Sequence, residues 1–285
     1  MADSLTDRVM FMSGGSRGIG LSIATRAARD GVKVALIAKT AEPHPRLPGT
    51  IYTAAEEIEA AGGEALPIVG DIRDAEAVDA AVAQTVERFG GIDLVVNNAS
   101  AINLSPMRDL EVKRFDLMQQ INARGTFVVT RACLPHLRES DHAHVLTLSP
   151  PLSADPRWLA GHSAYTLSKM GMTMVTLGVA ADEAEAGIAA NCLWPRTIIA
   201  TAAVQNLLGG DEAMARARMP EIVADAAVEI LSRDPRECTG NVFIDDEVLA
   251  EAGVTNFDRY DGTPGAELVT DIFVEESPDW RPQPG

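Results

Sequence analysis

Tyr165 and Lys169 stand four residues apart in Ser163-Ala-Tyr-Thr-Leu-Ser-Lys169. On a helix that spacing sets a phenol and an ammonium on one face, one turn apart. A cation beside a phenol favours the phenolate, so a hydroxyl that ordinarily titrates at about 10 would exchange protons nearer neutrality. The pair is a candidate acid/base catalyst. The spacing alone is common in helices. Its weight comes from a glycine-rich turn, Ser13-Gly-Gly-Ser-Arg-Gly-Ile-Gly20, roughly 150 residues upstream.

In that turn Gly14, Gly18 and Gly20, with Ser16, Arg17 and Ile19 between them, follow an apolar run and open a helical pattern. Phosphate binding needs backbone N–H groups within reach and a helix N-terminus aimed at the anion, and side chains at these glycines would block that approach. The spacing Gly-x-x-x-Gly-x-Gly departs from the common Gly-x-Gly-x-x-Gly dinucleotide fingerprint, and an ordinary strand-to-helix connection is the plain alternative. An acid at the end of the second strand would hold the ribose hydroxyls of NAD(H). The sequence there is Ile37-Ala-Lys-Thr40. Lys39 and Arg17 are two cations placed for an added 2′-phosphate, which predicts NADP(H) over NAD(H). A solvated strand-end lysine and a surface ion pair are the competing readings of the two.

The elements that would position these residues are legible as a rhythm. Strand-length apolar runs at 8–13, 32–38, 65–69, 92–97, 144–148, 188–193 and 242–244 alternate with longer helical patterns. Such alternation predicts one Rossmann-type doubly wound α/β domain, a parallel sheet of about seven strands with helices on both faces, over residues 1–245. Residues 246–285 read as an extension that wraps the domain or meets another subunit, and not as a second domain. Three prolines in Ala41-Glu-Pro-His-Pro-Arg-Leu-Pro-Gly49 predict a loop on the cofactor side. A net charge of -17 argues against nucleic acid and anionic membrane surfaces as partners. Cys133, Cys192 and Cys238 show no ligand spacing and read as free thiols. His142 and His144 lack a third ligand nearby, so no metal is expected. With no export segment, apolar span or peroxisomal address in view, a cytoplasmic protein is expected.

The glycine turn, Asn97-Asn-Ala-Ser100, Asn122 and Tyr165-x-x-x-Lys169, in that order, resemble the short-chain dehydrogenase/reductase family over roughly residues 5–245. Gly49-Thr-Ile-Tyr-Thr-Ala-Ala-Glu-Glu57, Leu148-Ser-Pro-Pro151 and Leu193-Trp-Pro-Arg196 are similar to its hydroxysteroid-dehydrogenase-like type 2 subfamily, whose longer members add a sterol-carrier domain. The resemblance implies that Tyr165 is the general acid or base at a carbonyl or alcohol oxygen. Lys169 would lower its pKa and bind ribose hydroxyls. Asn122, expected inside a long helix, would hold a water of a proton relay. Asp71 and Ile72 would sit at the adenine, and Asn97, Asn98 and Ala99 beside the adenosine ribose; Asp71 could instead cap a helix and Asn97 join strands.

Two departures matter. The family places a substrate-binding serine about 13 residues before the tyrosine, where this chain has Leu152. Ser149 or Ser153 could supply the hydroxyl; Ser149 is preferred because a strand end is placed more precisely than a loop. Beyond the sixth strand the family has Pro-Gly, and this chain has Pro195-Arg196, with Ile198 and Thr201 expected at the nicotinamide carboxamide. Residues 200–219 would form a substrate lid, and Trp158, Trp194, Met172 and Leu207 could line an apolar pocket or belong to the core. The expectation is an NADP(H)-dependent oxidoreductase acting on a small lipid- or steroid-like carbonyl or alcohol as a homodimer or homotetramer. A cofactor-binding, redox-responsive scaffold with little turnover is the competing class.

Overall fold

The structure, a computed structural model, describes residues 5–43, 48–207 and 209–275. Its first half runs β1 (Val9–Ser13), α1 (Gly18–Ala28), β2 (Lys33–Ala38), α2 (Ile51–Ala60), β3 (Glu64–Val69), α3 (Ala75–Phe89) and β4 (Leu94–Asn97). The second half runs α4 (Val112–Ile121), α5 (Ala123–Leu137), β5 (His144–Leu148), α6 (Pro156–Leu159), α7 (Ser163–Asp182) and β6 (Ala189–Trp194). It closes with α8 (Ala202–Leu207), α9 (Gly210–Ala215), α10 (Glu221–Leu231), β7 (Val242–Ile244) and α11 (Asp245–Glu251). The strands form one parallel sheet in the order β3-β2-β1-β4-β5-β6-β7. The expected doubly wound fold is borne out.

Near-continuous apolar strands are what a sheet covered on both faces requires. Successive side chains point to opposite faces, so Met10 and Met12 of β1 join a core that holds Ile23 of α1, Ile58 of α2 and Ile222 of α10, while Phe11 joins Val78 of α3 and Val129 of α5 on the other face. The local signals agree with this arrangement. Thr50 and Thr53 form a reciprocal capping box at the start of α2, and Asp74 caps α3, which ends at Gly90 in the left-handed conformation. Residues past 245 add Val248, Leu249, Phe257 and Tyr260 to the first core, so the extension is part of this domain.

Chain order reverses at β1, whose neighbours are β2 and β4. The carboxyl ends of β1 and β4, at Ser13 and Asn97, therefore flank a topological switch point, where α/β sheets bind ligands.

Candidate active site

A cavity of about 1450 Å³ opens at that switch point and runs from the glycine turn to Tyr165. Ligand pockets commonly occupy about 300–1,000 Å³, so there is room for a dinucleotide and a second molecule. Its walls include Gly14, Ser16, Arg17, Gly18, Ile19, Lys39, Asp71, Ile72, Asn98 and Ala99 at one end, and Tyr165, Lys169, Pro195, Ile198 and Thr201 at the other. Gly20 lies beneath the turn.

The turn is a cradle that side chains would fill. Gly14 has φ 77° and a Cβ there would lie 2.7 Å from the Ala99 backbone; one on Gly20 would lie 2.4 Å from Asn98 Nδ2. Asn98 donates from that Nδ2 to the Gly14 carbonyl at 2.7 Å, tying the end of β4 to the turn. No side chain caps α1, which leaves its first N–H groups facing the cavity end of the turn. These features fit the pyrophosphate of a nicotinamide dinucleotide.

Cations gather beside the turn. Arg17 donates to the backbone carbonyls of Pro48 and Gly49, so among the described residues it is not paired with a carboxylate and it anchors the loop after β2. Residues 44–47 of that loop lie outside the described residues. Lys39 is half exposed, 3.6 Å from Asp71. Asp71 is gripped by Arg73 through Nε and Nη2, and those hydrogen bonds hold its carboxyl down to about 2. Arg73, which the sequence reading passed over, thus joins Lys39 in a cluster of two bases around the one acid Asp71.

At the other end Tyr165 and Lys169 share a face of α7 and are both buried, as their spacing requires. The ammonium, however, does not sit on the phenol. Lys169 Nζ donates to the Leu148 carbonyl at 2.5 Å and lies over the Trp194 ring at 5.0 Å, and burial brings it down to about 7. Burial, and then nearby Asp271, push the Tyr165 phenol above its ordinary range, opposite to the direction expected from a neighbouring cation. A neutral phenol facing a cleft is a proton donor.

Ser149 and Asn122 are not brought to the cavity. Ser149, the residue after β5, is fully buried beneath α7, where its hydroxyl is hydrogen-bonded with Thr173 Oγ1 at 2.9 Å. Ser153 is not in the cavity wall either; its Oγ accepts from the Asp155 N–H in the turn before α6. Asn122 sits not inside a long helix but at the break between α4 and α5, with ψ -81°. Its Oδ1 accepts from Ala101 N–H, and its Nδ2 donates to the Ala101 carbonyl and to Ser168 Oγ. This side chain therefore fixes the loop after β4 to α7. Asn97 is structural, donating to Thr130 and Thr147. Of the apolar candidates Trp194 lines the cavity, Met172 is core beneath Lys169, and Trp158 packs outside it against Phe273. The Leu207 side chain lies outside the described residues.

Arg196 needs no glycine-like backbone, since its φ is not positive. Its guanidinium pairs with fully buried Asp246 at 2.8 Å and with Glu247, tying the turn after β6 to α11. The same turn holds a segment that the sequence reading left without a role. Thr197 bridges antiparallel to Thr270, Asp271 N–H donates to the Arg196 carbonyl at 2.8 Å, and Trp194 Nε1 donates to the Ile272 carbonyl at 2.9 Å. Val269, Thr270, Asp271 and Ile272 thereby become cavity wall beside Tyr165 and Lys169. The apolar run Leu268-Val-Thr-Asp-Ile-Phe-Val274, with one acid in it, is the signal that would have found them. Burial pushes the Asp271 carboxyl up to about 7. The elements after β6 also line the cavity, through Val204 of α8 and Ala213 and Met214 of α9.

A model of the short chain dehydrogenase family matches residues 8–210. Hydroxysteroid dehydrogenase-like protein 2 of Homo sapiens is 50% identical over 270 residues, 95% of this chain and 64% of that protein. The Bos taurus protein of the same name is 51% identical, and again the chain spans less than two thirds of its length, 64%. Among solved structures, a short chain dehydrogenase from Mycobacterium thermoresistibile superposes with a TM-score of 0.91 at 58% identity, covering 98% of each chain. A blue fluorescent protein from a metagenomic library, in complex with NADPH, gives 0.73 at 27% identity over 85% of this chain and 97% of its own. By its fold, its glycine turn and these relatives, the chain belongs to the short-chain dehydrogenase/reductase family of oxidoreductases.

Proposed function

We propose that this protein is an NADP(H)-dependent oxidoreductase that interconverts a secondary alcohol and a carbonyl on an apolar, lipid- or steroid-like substrate. The observation that carries the reading is the single cleft in which Tyr165 and Lys169 face the same space as the glycine turn. A nicotinamide cofactor held by the glycine turn and Lys169 would supply or accept the hydride. Tyr165 gives its proton to the carbonyl oxygen in reduction and takes it back in oxidation. Lys169, released from the Leu148 carbonyl, binds ribose hydroxyls and replaces the proton on Tyr165. Asn122 acts by holding the loop that faces them.

Arg17 and Lys39, with no acid at the end of β2, support the 2′-phosphorylated cofactor, and one similar structure was solved with NADPH. The substrate end is walled by Ile102, Leu104, Trp194 and Ile272, which suits an apolar molecule. Phe127 of α5 and Leu167 and Met174 of α7 are each more than half exposed on the two adjoining helices that flank the site. These side chains support assembly of two or four copies through those helices, which sedimentation would read. Free, buried cysteines suit the cytoplasm, and among the described residues no helix is long and apolar enough to cross a membrane.

The test is NADPH oxidation against a panel of apolar ketones. Tyr165→Phe should lose about 1,000-fold in turnover, within the usual range for a general acid, while still binding NADPH. NADPH binding with no Tyr165-dependent turnover would instead establish the scaffold reading, which Ser149's withdrawal from the cleft favours.

A further inference from the structure

Neither Ser149 nor Ser153 lines this cleft, and Leu152 stands where the family places the serine. A different polar group faces the same space. Asp271 lines the cavity with Tyr165 and Lys169, delivered by backbone bonds to the turn after β6. One of its oxygens, Oδ1, accepts from the Ile272 N–H at 2.7 Å. That bond fixes the rotation of the carboxyl and leaves Oδ2 without a protein partner among the described residues.

We propose that Asp271 is a catalytic residue of this site, its carboxylic acid donating a hydrogen bond from Oδ2 to the substrate's carbonyl oxygen alongside the Tyr165 hydroxyl. The inference rests on the carbonyl chemistry proposed above. In reduction the carbonyl carbon receives the hydride, the π electrons move to oxygen, and that oxygen takes its proton from Tyr165. Asp271 neither gains nor loses a proton; it stabilises the charge that gathers on the oxygen as the bond order falls.

An ionised Asp271 would work against this, because an anion beside Tyr165 opposes formation of the phenolate. The surroundings keep it protonated far above the ordinary carboxyl range. Burial is the main cause, and Asp245 at the start of α11 repels a second negative charge. From α7 Lys169 acts in the opposite sense and Tyr165 is neutral; on its own segment the Ile272 N–H also favours the anion. The Arg196 guanidinium pairs with Asp246 and Glu247, and its backbone carbonyl accepts from the Asp271 N–H. A carboxylic acid kept neutral in an apolar site can donate as a hydroxyl does.

The experiment compares Asp271→Ala and Asp271→Asn for NADPH-dependent ketone reduction across pH, with NADPH affinity and Tm measured on each protein. Alanine removes the donor and is expected to lower kcat about 100-fold with little change in KM. Asparagine, its oxygen held by Ile272 N–H, places an amide donor where Oδ2 was; it should recover at least about tenfold of that loss and erase the fall in kcat above about pH 7. An infrared difference spectrum at neutral pH, independent of turnover, should show a protonated carboxylic acid band that Asp271→Asn removes. Equal losses in both variants, an unaffected alanine variant, or no such band would overturn the proposal. A purely structural role would lower Tm and NADPH affinity with kcat and leave asparagine no better than alanine. Tyr165→Phe run in parallel separates the two ideas: turnover surviving there removes the general-acid reading whatever Asp271 does.

Discussion

Phe273 lies over Tyr165 with ring centroids 6.2 Å apart and 27° between the planes. Trp158, His162 and Trp194 surround the same phenylalanine, whose φ of 73° is one of two positive values among described residues other than glycine. An L-residue with a large side chain holds that backbone only when its surroundings insist. Here the aromatic packing does so, and Arg157 and Trp194 pin the flanking residues through Glu275 and the Ile272 carbonyl. Removing the ring in Phe273→Ala should cost about 3 kcal/mol, read by urea unfolding, and admit bulkier ketones to Tyr165. Unchanged stability and substrate range would show that the ring neither packs nor shapes the pocket.

Lys39 tests the cofactor. It is half exposed and already 3.6 Å from Asp71, so its loss leaves the fold intact. Lys39→Asp should weaken NADPH binding at least about tenfold while leaving or improving that of NADH, because a carboxylate repels a 2′-phosphate and accepts from a ribose hydroxyl. Equal NADPH and NADH affinity in the parent protein would refute the preference.

Arg196 tests the departure from Pro-Gly. Replacing it by glycine leaves Asp246, fully buried, with Arg218 at 3.2 Å as its remaining cation among the described residues. Breaking a buried pair commonly costs about 3–5 kcal/mol, and the surviving Arg218 should reduce that to about 2 kcal/mol. Denaturant titration of Arg196→Gly, Asp246→Asn and the double variant should show coupling between the two sites. Additive losses would mean the pair is incidental.

His144 sets part of the acid stability. It is buried against His142, with Nε2 at the Arg233 carbonyl, and burial lowers it from 6.5 to about 3. Between those values the unfolded chain binds the proton and the folded one does not, so this contribution is present above about pH 6.5 and is lost as pH falls toward 3. Asp245 and Asp271, raised from 3.8 to about 7, act in the opposite sense over that range, being protonated in the folded chain while ionised in the unfolded one. The difference between parent and His144→Phe isolates the histidine: the parent should lose up to about 1.4 kcal/mol per pH unit relative to the variant below pH 6. Parallel stability curves would contradict it.

The alternation of strand and helix patterns, the glycine turn and the Tyr165/Lys169 spacing are local properties. Periodicity decides which face of an element is apolar, and a turn motif needs only its own residues, so fold and nucleotide end could be read from the chain. Which side chains share the cleft depends instead on contacts between segments far apart in sequence. Ser149 sits just past the end of β5, yet its side chain is buried beneath α7 against Thr173. Lys169 holds the expected position on its helix, but a carbonyl at the end of β5 draws the ammonium off the phenol. Asp271 and Phe273 stand more than 100 residues beyond Tyr165, and only the pairing of their segment with the turn after β6 sets them beside it. Local pattern specified the scaffold; burial and long-range backbone pairing chose the groups that line the cleft.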